Sequence, residues 1–133
     1  MEDPRLVRVR EMADAWNAAD FERFFGFLAD DIGVDPDPLW PEPGPYYGEE
    51  ARDFLRGWID AWDSVRIQTD KIQLVGRCVV IWGAWLGEGA ASHADVELGV
   101  AMAIEFDERL RATAMHVRFE HDQALEIARA TAG

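Results

Sequence analysis

The sequence predicts an α+β fold in which helices precede a run of antiparallel strands. Two changes along the chain carry this prediction. In the first half, apolar residues recur at the 3.6-residue spacing of amphipathic helices. From Val65 onward, four long segments rich in β-branched and aromatic residues follow one another, separated by short turns. Segregated helices and strands are typical of α+β folds, and 133 residues suit a single domain spanning 1–133.

The first two helices are indicated by apolar spacing and by the residues that precede them. Asp3 is a good N-cap and is followed by a proline, so the first helix is predicted from about Pro4 to Asn17. Asp20 can cap a second helix that ends near 29–31. The apolar face of this second helix comprises Phe21, Phe24, Phe25 and Leu28.

The segment from Ile32 to Asp35 is predicted to be a short strand. The loop that follows, Pro36–Pro45, contains five of the six prolines and is therefore irregular. It carries Leu39 and Trp40, which are unusual in a solvated loop and favour packing over an apolar surface. Such a loop is either a lid or a segment simply fixed to the core.

The third helix has the strongest apolar pattern in the chain. It opens at Gly48, with acidic residues favourably placed in its first turn. Its apolar face comprises Ala51, Phe54, Leu55, Trp58, Ile59 and Trp62. A face this aromatic predicts a helix that lies across a large apolar surface, which in this fold is the sheet.

Four strands and one short helix complete the prediction. The strands are Val65–Val75, Cys78–Gly87, His93–Phe106 and Leu110–Glu120, with a two-residue turn at Gly76 and Arg77. The final helix is predicted at His121–Ala130, with Leu125 and Ala128 inward. Sheet twist is expected to make the helix-covered face concave.

The last hairpin is the most informative part of the sheet. If Phe106 pairs with Leu110, then His116, Arg118 and Glu120 share one face with apolar residues that include Met102. This arrangement predicts a pocket wall. The opposite face, which no predicted helix covers, predicts a homodimer interface formed by Ala101, Met115, Val117 and Phe119.

Charge and cysteine content exclude several classes of function. The formal net charge of −13 disfavours nucleic acid and anionic membrane surfaces as partners. The single cysteine, Cys78, cannot form an intrachain disulfide, and the N-terminus has no signal-peptide pattern, so a cytoplasmic location is expected. The three histidines are not paired at ligand spacing, so no metal site is expected.

Four local stretches resemble one known family when their order and spacing are considered together. They are 16–21 (WNAADF), 28–32 (LADDI), 47–54 (YGEEARDF) and 116–120 (HVRFE). In this respect the chain resembles the SnoaL-like branch of the nuclear-transport-factor-2-like (NTF2-like) superfamily. The resemblance implies a cone: a strongly curved antiparallel sheet wrapped around three N-terminal helices, with a short C-terminal helix.

The same resemblance implies a pocket between the concave sheet face and the first three helices, and a homodimer. Similar polyketide cyclases use an acid/base carboxylate near the end of a late strand, and Glu120 is the matching position here. Family members include isomerases, cyclases, dehydratases, epoxide hydrolases and non-enzymes, so the fold does not select a function.

The candidate catalytic residues are His116, Glu120, Asp35 and Arg118. The imidazole of His116 suits proton transfer near neutral pH, and Arg118 could stabilise a developing oxyanion or pair with an internal carboxylate. Asp35 could be a base or could cap the turn at Pro36. The predicted substrate-binding residues are Trp16, Trp40, Tyr47, Trp58, Trp62, Trp82, Val100 and Met102, with Trp85 as an alternative to Trp82.

Three hypotheses for function follow from these residues. The first is a cofactor-independent cyclase or isomerase that transfers protons on a small apolar cyclic or polyketide-like molecule. The second is a ligand-binding or accessory protein that uses the same pocket without chemistry. The third is an acidic interaction protein without a pocket, which predicts an exposed Trp40 and a disordered loop.

Overall fold

The α+β fold is confirmed. A computed structural model describes residues 2–40, 42, 44–89 and 95–131. The elements in chain order are α1 Pro4–Asn17, α2 Phe21–Gly26, β1 Leu28–Asp35, β2 Tyr46–Tyr47, α3 Glu49–Asp60, β3 Trp62–Val75, β4 Cys78–Gly89, β5 Asp95–Phe106, β6 Ala112–Arg118 and α4 His121–Ala130. The bounds of α1 and α4 are those the sequence predicts, and Gly76 and Arg77 form the predicted two-residue turn.

The helices begin where capping chemistry predicts. The side chain of Asp3 accepts a hydrogen bond from the N–H of Arg5 at 2.9 Å, and that of Asp20 accepts from the N–H of Arg23 at 3.2 Å. The prediction that α2 continues to 29–31 was wrong. The chain leaves the helix at Gly26 because its next residues join the sheet, where the carbonyl of Phe27 accepts from the N–H of Ala112.

The six strands form one sheet in the order β2-β1-β6-β5-β4-β3. Neighbours are antiparallel except for β1 and β6, which run parallel, with Val34 aligned to Met115 and Asp35 to His116. The sequence predicted neither this parallel pairing nor β2. The sheet is curved but is not closed into a barrel.

The register of the last hairpin differs from the predicted one. Met102 pairs with Val117 rather than with Ala114, an offset of three residues. Two residues of this offset come from the turn, which is longer than predicted, and the third comes from a bulge between Glu105 and Phe106. Leu110 has a φ of +60° and lies in the turn rather than in β6. The side chain of Asp107 holds this turn by accepting from the backbone N–H groups of residues 109 and 111.

This offset exchanges the two faces of β6, because alternate residues of a strand point to opposite sides. Met115 and Val117 therefore point inward, toward the helices, whereas His116 and Arg118 lie on the outer face. The predicted pocket wall of His116, Arg118 and Glu120 was wrong for this reason.

The outer face also differs from the prediction, because α4 lies across part of it. The small side chains of Ala124 and Ala128 on α4 are fully buried against Ala101, Ala103 and their neighbours on β4 and β5. Ala101 is thus covered within the chain, and Met115 and Val117 face the interior, so these residues do not form the predicted dimer surface. Homodimer formation itself stays a prediction.

The main core lies on the inner face, between the sheet and helices α1 to α3. Its buried members include Val9, Met12 and Trp16 from α1 and Leu55 from α3. These side chains meet residues from five strands. Together they surround a cavity.

Candidate functional site

A cavity of about 70 Å³ lies between the inner sheet face, α1, α2 and α3. The residues that line it are Val9, Met12, Ala13, Trp16, Phe24, Val34, Pro36, Trp40, Phe54, Leu55, Trp58, Ile67, Ile81, Trp85, Met102, Ile104, Met115 and Val117. None of these side chains has a carboxyl, imidazole, hydroxyl, amide or ammonium group. The lining is thus apolar except for the indole N–H groups of its tryptophans, and it offers no group that titrates near neutral pH.

A row of four indole rings crosses the cavity. Trp16 meets Trp85 edge to face with 5.4 Å between ring centroids, and Trp85 lies 5.0 Å from Trp58. Trp58 lies 4.4 Å from Trp40, which in turn stacks at 5.8 Å on Phe119. A wall of large flat rings is typical of sites that bind flat apolar molecules, and equally of a well-packed core.

Trp40 is held over the cavity by the base of its loop. Asp37 is only 3% exposed, and its carboxyl group accepts hydrogen bonds from the N–H of Leu39 at 2.8 Å and from the N–H of Phe119 at 3.0 Å. The second bond ties the loop to the end of β6. Sequence reasoning missed Asp37, although a carboxylate two residues before a turn N–H is a common local pattern.

Trp40 is partly buried, whereas the pocket-free hypothesis predicted that it would be exposed. Leu39, by contrast, is 81% exposed, so only one of the two apolar residues of this loop packs on the core. Pro41 and Pro43 of the same loop lie outside the described residues.

Three of the four candidate catalytic residues form one polar cluster. Nδ1 of His116 lies 2.8 Å from Oδ2 of Asp35, and Nη2 of Arg118 donates to the same oxygen at 2.7 Å. Nη1 of Arg118 also donates to the backbone carbonyls of Asp35 and Val117, at 2.8 Å each. The parallel pairing of β1 and β6 creates this cluster, because it aligns Asp35 with His116 on the same face.

The cluster favours an ionised Asp35. Partial burial raises the pKa of this carboxyl, but the hydrogen bonds and positive charge of Arg118 and His116 outweigh that effect and hold the pKa below its ordinary value of 3.8. An ionised Asp35 accepts from Nδ1–H of His116, so in the neutral form of the ring the free lone pair is on Nε2. The charge of Arg118 is engaged by Asp35, which is the internal ion pair considered from sequence.

The fourth candidate, Glu120, is separate from this cluster. It is exposed and precedes α4, and among the described residues no ion pair joins it to Arg118. The cluster and the cavity are also separate. Asp35, His116 and Arg118 lie on the outer face, while Val34, Met115 and Val117 on the same strands line the interior.

The predicted binding residues are also divided between the cavity and other parts of the structure. Trp16, Trp40, Trp58 and Met102 line the cavity, and Trp85 rather than Trp82 joins them. Trp82 lies on the outer face, where its ring stacks on His121 at 5.4 Å. Two further predictions are not matched by the lining, since Tyr47 is 65% exposed and Val100 is buried but does not line the cavity. The side chain of Trp62 lies outside the described part, so its role stays a prediction.

In the described ranges 2–40, 42, 44–89 and 95–131, no group of three or more His, Cys, Asp and Glu side chains could hold a metal ion. Within those same ranges, no helix is both long enough and apolar enough to cross a bilayer.

The family model of the SnoaL-like domain matches residues 9–127. The chain belongs to the SnoaL-like family. This match runs from the middle of α1 through most of α4, so the cavity and the polar cluster both lie within the family domain. No protein of curated function is matched by the sequence.

Solved structures of similar fold come from several sources. An NTF2-like protein of unknown function from Burkholderia pseudomallei is 18% identical with a TM-score of 0.76, covering 96% of this chain and 98% of that chain. A Mycobacterium tuberculosis protein in complex with estradiol-17beta-hemisuccinate is 16% identical with a TM-score of 0.76, over 91% of this chain and 97% of that one.

A third similar structure is an epoxide hydrolase/cyclase-like enzyme with a role in pyran ring formation in the polyether salinomycin. It is 13% identical with a TM-score of 0.73, over 86% of this chain and 89% of that chain. At these identities the likeness shows the NTF2-like fold and does not carry an activity to this SnoaL-like chain.

Proposed function

We propose that this SnoaL-like protein binds a small, apolar, ring-containing molecule inside its cone. The observation that carries the proposal is the lining of the cavity, which combines four indole rings with aliphatic side chains and no titratable group. Burying an apolar ring there removes apolar surface from water at no cost in desolvated charge. A protein of similar fold from Mycobacterium tuberculosis, solved in complex with estradiol-17beta-hemisuccinate, supports a ring-containing ligand.

The size of the cavity indicates that binding requires a side chain to move. An engineered cavity of about 150 Å³ accommodates benzene, whereas this one measures about 70 Å³. Trp40 is the best placed to move, because it is partly exposed and sits on an irregular loop. Trp40, Phe54 and Trp58 also border a surface groove, so they separate the cavity from solvent.

The test is binding of indane by isothermal titration calorimetry, with a cavity-filling variant and a matched control. Ala13→Phe places a phenyl ring in the lining and should abolish binding, whereas Ala130→Phe adds the same ring at an exposed position of α4 and should not. A wild-type protein that binds neither indane nor naphthalene would overturn the proposal.

A second candidate function is proton transfer by His116. The observation in its favour is the 2.8 Å contact with Asp35, since a carboxylate that orients an imidazole is a common feature of general bases. Because the cluster lies outside the cavity, this function would act on a molecule at the outer face of the β1–β6 pair.

Deuterium exchange tests this second function directly. General-base catalysis would remove a proton from the carbon next to the carbonyl of 1-indanone, and D₂O would return a deuteron to the enolate. The exchange rate measured by NMR should then fall in His116→Gln. It should not fall in the control His121→Gln, because His121 stacks on Trp82 instead of contacting Asp35. An exchange rate equal to that of buffer alone would exclude this chemistry for an enolisable ketone.

A further inference from the structure

The indole N–H of Trp16 is buried without a hydrogen-bond partner. Trp16 is 4% exposed and lines the cavity, and its Nε1 is the only buried side-chain nitrogen or oxygen without a partner among the described residues. Its aromatic contacts are with Phe21, Phe24 and Trp85, at 5.3, 4.9 and 5.4 Å between ring centroids. None of these neighbours presents an acceptor.

Such an orphan is unusual, because the large majority of buried side-chain polar atoms are hydrogen-bonded and a native exception calls for a cause. A trapped water is a poor partner here. A buried water is typically held by two to four polar groups, and the side chains around this cavity supply only indole N–H donors and no oxygen acceptor. The side chains of the cavity thus provide no oxygen acceptor for the N–H of Trp16.

We propose that Trp16 donates a hydrogen bond to an oxygen of the bound molecule. The inference rests on the proposed binding function and narrows the ligand class. The ligand is a small apolar ring system that carries at least one acceptor oxygen, as a ketone, hydroxyl or ether, on the part that reaches Trp16. A pure hydrocarbon fits the lining but leaves the donor unsatisfied.

A pair of ligands of the same shape isolates this hydrogen bond. 1-Indanone and 1-methyleneindane differ only in an exocyclic C=O or C=CH₂ group. Their dissociation constants are measured by calorimetry for the wild type, for Trp16→Phe and for Trp82→Phe. The hydration of each ligand is the same in every experiment, so a change in the ketone-to-alkene ratio between proteins reports the protein contact alone.

The preference for the ketone over the alkene, as a ratio of dissociation constants, should be roughly fivefold larger in the wild type than in Trp16→Phe. This is the size expected of one neutral hydrogen bond. Phenylalanine keeps an aromatic ring at the position but has no N–H. Trp82→Phe removes an indole from the outer face and should leave the ratio unchanged. Equal ratios in the wild type and Trp16→Phe would overturn the inference.

The donor can also be observed directly by NMR. The chain has six tryptophans, and the indole resonance that disappears in Trp16→Phe assigns the peak of Trp16. Its proton should shift downfield with 1-indanone and not with 1-methyleneindane. If that peak moves equally with both ligands, Trp16 senses ring contact rather than a hydrogen bond, and the inference is rejected.

Different results contradict the proposed function and the role of Trp16. Absence of binding by both ligands contradicts the proposed function itself. Binding of 1-methyleneindane, with a ketone-to-alkene ratio that Trp16→Phe does not change, contradicts only the role of Trp16 and leaves the apolar binding site in place.

Discussion

Replacing Asp37 tests how the loop that carries Trp40 is fixed over the cavity. Asp37→Ala removes the acceptor for two backbone N–H groups, those of Leu39 and Phe119. Leu39 is 81% exposed, so water can replace the lost partner of its N–H at little cost. The N–H of Phe119 is partly buried, and a buried donor without a partner costs about 1–3 kcal/mol.

Loss of both hydrogen bonds is therefore expected to lower the free energy of unfolding by about 1–3 kcal/mol. The entropy of unfolding is roughly 2.1 cal/mol/K per residue, which for 133 residues gives about 0.28 kcal/mol/K. The corresponding decrease in Tm is about 4–11 °C.

The assay is thermal unfolding followed by circular dichroism, with two further variants for comparison. Asp37→Asn keeps one side-chain acceptor oxygen and should lose about half as much stability, because bonds to a charged acceptor are roughly twice as strong as neutral ones. Asp31→Ala removes an exposed carboxylate from β1 and should change the free energy by no more than about 0.5 kcal/mol. If Asp37→Ala unfolds at the same temperature as Asp31→Ala, the loop does not depend on this anchor.

Three further predictions address the cluster, the cavity and the sheet. Because the folded-state pKa of Asp35 lies below 3.8, its ion pair stabilises the protein above about pH 4 and is lost as the pH falls below that value. The urea midpoint should then fall less between pH 6 and pH 3 in Asp35→Asn than in the wild type, and parallel curves would contradict this. Met102→Ala should lower the free energy of unfolding by about 2–5 kcal/mol. It should also strengthen binding of naphthalene relative to indane, because it enlarges the cavity. If calorimetry finds the same preference as in the wild type, Met102 does not limit the size of the cavity. A methyl group at Gly83 would lie 1.8 Å from a backbone carbonyl oxygen of β3, so Gly83→Ala should lower the free energy of unfolding by about 3 kcal/mol. At Gly57 in α3 a methyl group would meet no atom within 4 Å, so Gly57→Ala should raise that free energy by about 0.5–1 kcal/mol. Chemical denaturation measures both. Equal effects at the two glycines would refute the predicted clash.

The elements with strong local signals were predicted well from sequence. The bounds of α1 were recoverable because Asp3 and Pro4 mark its start, and the turn at Gly76 and Arg77 because it joins two apolar runs. The amphipathic pattern of α3 indicated its place across the sheet, and Phe54, Leu55 and Trp58 do line the cavity. These features depend on residues close together in sequence.

The features that were missed depend on pairing between distant residues. A turn of five residues where three were expected, together with a one-residue bulge between Glu105 and Phe106, shifts the pairing by three residues. Because the side-chain period of a strand is two, this odd shift moves His116 and Arg118 to the outer face. No local pattern in β1 predicts that it runs parallel to β6. The contact of Asp35 with His116 and Arg118 was therefore only one of several options.

The parallel pairing of β1 with β6 constrains how the chain folds. β3 to β6 are joined by hairpins and can pair with their neighbours as they are formed, whereas β1 must bridge about 80 residues to reach its partner. Closure of so long a loop carries a larger entropy cost, and contacts of large sequence separation slow folding. The wall of the cone that contains Val34 and Met115 is therefore completed only once the last strand is available, so chains truncated before Ala112 should retain hairpins but lack an enclosed cavity.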